Sequence, residues 1–148
     1  MGVVVDASLV AAIILPLPYS DQVARSIAIW QRAGQALLAP LLLEYEVAAV
    51  LRKAVVADWL TTDLAVQAMD DVRALDIHCL PPTVRLHEQA LRWAQRLGHS
   101  KTYDAHYLAV AEQERAELWT ADRRLVNGAR QAGVPWVRWI GDLAAGQP

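Results

Sequence analysis

Apolar residues fall along this chain in two rhythms. Val3-Val4-Val5 is an unbroken β-branched run, as in a strand covered on both faces, and it stops at Asp6. Ala7 to Leu15 is apolar enough for a packed helix and is halted by Pro16 and Pro18. Ser20 or Asp21 opens a second helix that ends near Gly34. Ala36–Ala39 reads as a strand, and Pro40 stands at or near the first position of a helix running from Leu41 to about Val56. Thr61 or Thr62 opens a helix to about Leu75, with Asp63 in its first turn. Ile77–Leu80 is strand-like and Pro81-Pro82 ends it. Thr83 to Leu97 carries Leu86, Ala90, Trp93, Ala94 and Leu97 on one helical face, and Gly98 closes it. Lys101-Thr102-Tyr103-Asp104 leads into a helix to about Arg115. Leu118–Thr120 is a strand, Asp122 starts a helix ending at Gly133, and Val134–Ile140 is a last short strand before a loose tail from about 141 to 148.

Strands alternating with helices predict an α/β fold: a short, parallel or mostly parallel sheet with helices on both faces. The helices outnumber the strands, so two helices sit between some strand pairs. At 148 residues, and without repeats or a long linker, the chain is expected to be one domain over 1–148. It is 55% hydrophobic and 20% charged, which excludes disorder. A formal charge of −2 lacks the basic footprint of a constitutive nucleic-acid binder, while leaving cation-bridged contact open. Cys79 is the single cysteine, so no internal disulfide or cysteine zinc site can form. With no signal peptide and no apolar run long enough to span a bilayer, the expected location is the cytoplasm.

Candidate chemistry rests on carboxylates. Asp6 ends the first strand, and Asp122 follows Leu118–Thr120 in the same strand-then-acid arrangement. If both strands are central and parallel, both side chains meet at the sheet edge where open α/β folds bind ligands. Asp104 shares a helical side with Leu108 and Ala111, with Tyr107 adjacent, so it points towards the core. Each of these acids could instead cap or charge a helix start, with Thr102 capping the Asp104 helix. In the helix from Leu41 the core face centres on Leu43, Val47, Val50 and Ala54; Glu44 and Glu46 flank it on opposite sides, and periodicity does not choose between them. Converging carboxylates raise one another's pKa, and a divalent cation relieves them. All-oxygen ligands select Mg²⁺ or Mn²⁺, and the chemistry implied is phosphodiester hydrolysis.

These same positions carry a resemblance. Val4-Val5-Asp6-Ala7-Ser8-Leu9, the Glu46-Val47-Ala48-Ala49-Val50-Leu51-Arg52 segment, Tyr103-Asp104-Ala105-His106-Tyr107-Leu108-Ala109 and Trp119-Thr120-Ala121-Asp122-Arg123-Arg124-Leu125 resemble, in order and spacing, the acidic motifs of PIN-domain proteins. The overall look is that of VapC-type toxins of prokaryotic toxin–antitoxin pairs. The resemblance implies a PIN-like three-layer α/β/α fold, a metal-dependent endoribonuclease, a small antitoxin partner and a homodimer. It selects Glu46 over Glu44. It makes Asp6, Glu46, Asp104 and Asp122 the catalytic, metal-holding acids, with Ser8 and Thr120 in support. Members often carry Asn three residues after the second acid; here Ala49 stands there, which weakens the support for Glu46.

Lys101, Arg123 and Arg124 adjoin the acids and are candidates to hold RNA phosphates. His106 points about half a turn from Asp104 and reads as structural or surface; His78, His87 and His99 read as isolated. The six tryptophans show no stacking pattern, and Trp30 and Trp59 add apolar surface that a dimer or antitoxin would cover. The main alternative is a non-catalytic PIN-like interaction module whose acids only cap helices; the presence of all four acids argues against it. A receiver domain or a haloacid-dehalogenase-type phosphatase needs further acids after the first strand, where only Asp6 stands.

Overall fold

The computed structural model describes residues 1–143. Five strands form one all-parallel sheet: β1 (Gly2–Val5), β2 (Ala36–Pro40), β3 (His78–Leu80), β4 (Glu117–Thr120) and β5 (Val137–Trp139), in the order β3-β2-β1-β4-β5. Seven helices connect them: α1 (Ala7–Ile14) and α2 (Ser20–Arg32), α3 (Leu42–Val56) and α4 (Thr62–Ala74), α5 (Val84–Leu97) and α6 (Tyr103–Glu114), and α7 (Arg123–Gln131). Each of the first three connections is thus a helix pair, as the excess of helices requires.

The chain leaves β1 towards β2 and β3, then returns through α5 and α6 to β4 on the other side of β1. The carboxyl ends of β1 and β4 therefore flank the point where strand order reverses, the place where a crevice opens in folds of this kind. Register fixes what lies there. Val3, Val4 and Val5 pair with Glu117, Leu118 and Trp119, which sets Asp6 across from Thr120. Val4, Val5 and Leu118 have no solvent exposure, so this centre cannot slip by one residue without turning apolar side chains out of the core. Helix α6 lies against β1, β2 and β4, and six of its residues, Ala105 and Tyr107 to Ala111, are buried.

Several boundaries differ from the sequence reading. Pro40 ends β2 instead of opening α3; the ladder continues past it because the Leu41 N–H bonds Leu80 O. Leu51, not Val50, completes the buried face of α3 with Leu43, Val47 and Ala54. The edge strands β3 and β5 are shorter than expected, three residues each. The tail expected to be loose from 141 is tied down as far as Leu143: Ile140–Asp142 forms a 3₁₀ turn, Arg130 pairs with Asp142 at 2.7 Å, and Gln22 Nε2 donates to Leu143 O. The rest of that expected tail, 144–148, lies outside the described residues. No helix among the described residues is long and apolar enough to cross a membrane.

Candidate active site

The strand ends and three helices enclose an open cleft of about 540 Å³ whose walls include Asp6, Ser8, Glu46, Asp104 and Asp122. All four sequence-selected acids therefore reach one place. Glu44 does not: it borders a separate groove with Asp76 and Cys79.

Asp6 is held most tightly. It caps α1 by accepting the Leu9 N–H at 3.0 Å on Oδ1, where Ser8 Oγ also donates at 2.7 Å. Thr120 Oγ1 donates to its other oxygen. Ser8 Oγ accepts the Ala121 N–H, and Thr120 Oγ1 accepts the Asp122 N–H. Ser8 and Thr120 thus hold Asp6 and also fix the backbone that presents Asp122. Burial pushes the Asp6 carboxyl up to about 6; its three hydrogen bonds oppose that, and Asp104 adds to it.

Glu46 accepts a 2.7 Å hydrogen bond on Oε1 from the Tyr107 hydroxyl. The weakened support expected from Ala49 is thereby corrected: the partner comes from α6 rather than from α3. Tyr107 lies three residues after Asp104, so one helical face delivers an acid and the hydroxyl that holds another. Burial raises the Glu46 pKa, against the Tyr107 hydrogen bond, and Asp104 raises it further. Burial and the adjoining Glu46 carboxylate push the Tyr107 hydroxyl far above its ordinary value, so it remains a donor at neutral pH.

Asp104 couples the set. Burial raises its pKa, Asp122 raises it further, and His99 and Arg124 oppose both. Asp104 in turn raises Asp6 and Glu46. Thr102 makes no side-chain cap to α6, so Asp104 is the polar group of that helix start. Asp122 is both a cleft acid and the cap of α7, accepting the Arg124 N–H at 2.9 Å. Helix capping and a shared acidic cleft are thus compatible at Asp6 and Asp122.

Among the described residues no three Asp, Glu, His or Cys side chains converge closely enough to enclose an ion by themselves. The donor set is nevertheless all oxygen, and Asp122 raises Asp104, which in turn raises Asp6 and Glu46. That fits a small hard ion which keeps several waters and uses one or two carboxylates, the habit of Mg²⁺, rather than a closed protein cage.

Of the basic candidates, Lys101 borders a groove with Glu46 and Asp104. Arg124 is 95% exposed and only 4.0 Å from Asp122, whereas the Arg123 guanidinium stacks over Trp139 at 4.4 Å. Lys53 was missed as a cleft residue; it follows Glu46 by seven positions, and Glu46, Ala49, Val50 and Lys53 share the cleft-facing stripe of α3. His87 and His99 are not isolated. His99 acts on Asp104, and His87 Nδ1 lies 2.8 Å from His106 Nε2. Because a carbonyl only accepts, His106 Nδ1 carries the proton donated to Thr102 O, and in the neutral ring Nε2 accepts from His87. Trp30 packs on Trp119, while Trp59 is exposed.

The PIN domain family model matches residues 3–131. The chain is 33% identical over 132 residues to ribonuclease VapC3 of Pyrobaculum aerophilum, covering 86% of this chain and 94% of that protein. Its fold matches VapC20 of Mycobacterium tuberculosis, described as a sarcin–ricin loop cleaving toxin, with a TM-score of 0.68, 20% identity, and 93% and 99% of the two chains covered. It also matches a chain of a toxin–antitoxin complex from Klebsiella pneumoniae, with a TM-score of 0.63, 20% identity, and 93% and 96% covered.

Proposed function

Because the chain belongs to the PIN-domain family and is of the VapC type, we propose that it is a divalent-metal-dependent endoribonuclease, the toxin of a toxin–antitoxin pair. The observation that carries this is the single cleft into which Asp6, Glu46, Asp104 and Asp122 all reach from separate elements. Those four acids would hold Mg²⁺ or Mn²⁺, directly or through water. When bound, the cation would lower the pKa of a water and neutralise charge on the phosphoryl oxygens. The protein's own work is placement. The Ser8 and Thr120 hydroxyls fix Asp6 and oppose the rise that burial imposes on its carboxyl, and the Tyr107 hydroxyl does the same for Glu46. Asp104, whose carboxyl burial and Asp122 raise, stands in the same cleft.

RNA is the substrate class, in keeping with the ribonuclease relative, and a small antitoxin is the partner, in keeping with the toxin–antitoxin complex whose fold the chain shares. A homodimer accounts for the exposed apolar side chains Trp59, Leu64 and Val66. Purified antitoxin-free protein is expected to cut a panel of structured and unstructured RNAs with Mn²⁺ or Mg²⁺, and neither with EDTA nor as Asp104→Asn. Equal cutting by Asp104→Asn would sink the assignment.

The basic residues separate by environment. Lys101→Ala and Arg124→Ala are each expected to lower the slope of log affinity against log salt for single-stranded RNA by about 0.7, one phosphate contact each. Arg123→Ala leaves that slope unchanged, because its guanidinium is spent on Trp139. A drop in slope for Arg123→Ala equal to that of Arg124→Ala would contradict the division.

A further inference from the structure

Three grooves meet at one side chain. Tyr103, the first residue of α6, borders the acidic cleft. It also borders a groove of about 430 Å³ along the α5–α6 loop at His99, Ser100 and Lys101. On its third side lies a groove of about 330 Å³ walled by Pro40, Leu80, Pro82 and Leu86. Tyr45 of α3 borders the acidic cleft and this apolar groove. Both rings stand open to solvent, Tyr103 at 54% and Tyr45 at 72%, whereas Tyr107 one turn along is buried at 1%. Core packing therefore does not account for Tyr45 and Tyr103.

The three grooves differ in chemistry as the parts of an RNA strand do. The acidic cleft is the seat of the scissile phosphate. The loop groove, which Glu46 and Asp104 also border, has Lys101 and His99 as its groups for a neighbouring phosphate. The apolar groove contains no carboxylate, lysine or arginine, has the paired His87 and His106 rings on its wall, and suits the flat face of a base. A base attached to a phosphate in the cleft enters the apolar groove past Tyr103 and Tyr45, since these rings are common to both spaces. We propose that Tyr103 and Tyr45 form a stacking subsite for the unpaired nucleobase adjoining the scissile phosphate. This rests on the ribonuclease reading.

Such a subsite reads strandedness before sequence. Every base presents a π-face, so stacking tolerates all four, but a base stacked inside a helix does not offer its face. The selection is for a single strand or a splayed-out loop nucleotide.

The test is fluorescence anisotropy on the 148-residue chain with Ca²⁺ in place of Mg²⁺ or Mn²⁺, so that a hard cation neutralises the cleft acids, with labelled decamers of oligouridylate, oligoadenylate and an abasic ribose-phosphate chain at one salt concentration. The intact protein is expected to bind both base-bearing decamers more tightly than the abasic one. Tyr103→Ala and Tyr45→Ala each weaken binding of the base-bearing decamers about tenfold, within the range for one stacked base, and leave the abasic decamer unaffected. Tyr103→Phe restores the preference. The proposal is overturned if the abasic decamer binds as well as the others, if no decamer binds, or if Tyr103→Ala changes nothing. It is also overturned if Tyr103→Ala only converts a dimer to a monomer in light scattering, which would make the groove a contact between copies of the chain. Cleavage in Mn²⁺ by the intact protein, lost in Asp104→Asn, is read in parallel; its presence beside a failed stacking result removes the subsite and leaves the nuclease standing.

Discussion

Asp6→Asn is expected to make the metal-free protein more stable at neutral pH while removing its cleavage. The stability gain follows from linkage. The folded protein holds the Asp6 proton up to about 6, the unfolded chain only to its ordinary 3.8. Between those values the folded state binds more proton, so stability falls as pH rises, and above about pH 6 the whole penalty is present. The interval corresponds to at most about 3 kcal/mol. Asparagine carries no charge to desolvate, and its Oδ1 can still accept from Leu9 N–H and Ser8 Oγ. Its amide N–H, however, meets a Thr120 hydroxyl that now points a proton at it. A net gain of about 1–2 kcal/mol remains, or about 3–6 °C in Tm at pH 7.5 in EDTA, and the difference narrows towards pH 4. Activity moves the other way. Losing a group that merely supports a metal ligand costs about 10–100-fold, so losing a ligand carboxylate costs more than about a hundredfold in kcat/KM. Thermal scans at several pH values and a cleavage assay decide the matter. A less stable Asp6→Asn with unchanged cleavage would mean that the buried carboxylate is structural only.

Tyr107→Phe carries the second large effect. The Tyr107 hydroxyl is the only hydrogen-bond partner of the Glu46 side chain among the described residues. Phenylalanine keeps the ring packed and removes only the donor. Glu46 then loses the bond that opposes its burial and the restraint on its direction. Mn²⁺ affinity is expected to fall about 10–100-fold. Cleavage drops most when Mn²⁺ is limiting and recovers largely when it is saturating. A loss of stability with unaltered Mn²⁺ dependence would show that the tyrosine only packs the core.

How far the site could be read from sequence depends on how local each signal is. Asp6 and Asp122 were legible because a β-branched or apolar strand running into an acid at a helix start is written in consecutive residues. Their meeting needed only that both strands be central and parallel, and the β1–β4 register delivers it. Glu46 against Glu44 was not legible from periodicity. The two sit symmetrically about the α3 core face, and the choice depends on which flank of α3 turns towards the end of β1; the family motif made the choice that the fold makes. Tyr107 holding Glu46, and His87 pairing with His106, join residues of different helices. Such contacts depend on how α6 lies against α3 and α5, which no single-helix pattern encodes. The stretch from Gly141 to Leu143 looked loose because what holds it, Arg130 and the Gln22 amide, lies far away in sequence. Pro40 misplaced the start of α3 because a proline serves equally to open a helix or to finish a strand whose last N–H is not needed.

Calorimetric titration of Mn²⁺ into the purified, metal-stripped protein tests the central claim most directly: that four acids from separate elements form one cation site. Saturable binding to the intact protein, abolished in Asp104→Asn and retained in Glu44→Gln, is the predicted result. No binding at all, or binding that Asp104→Asn leaves intact, would contradict it and leave Asp6 and Asp122 as helix caps only.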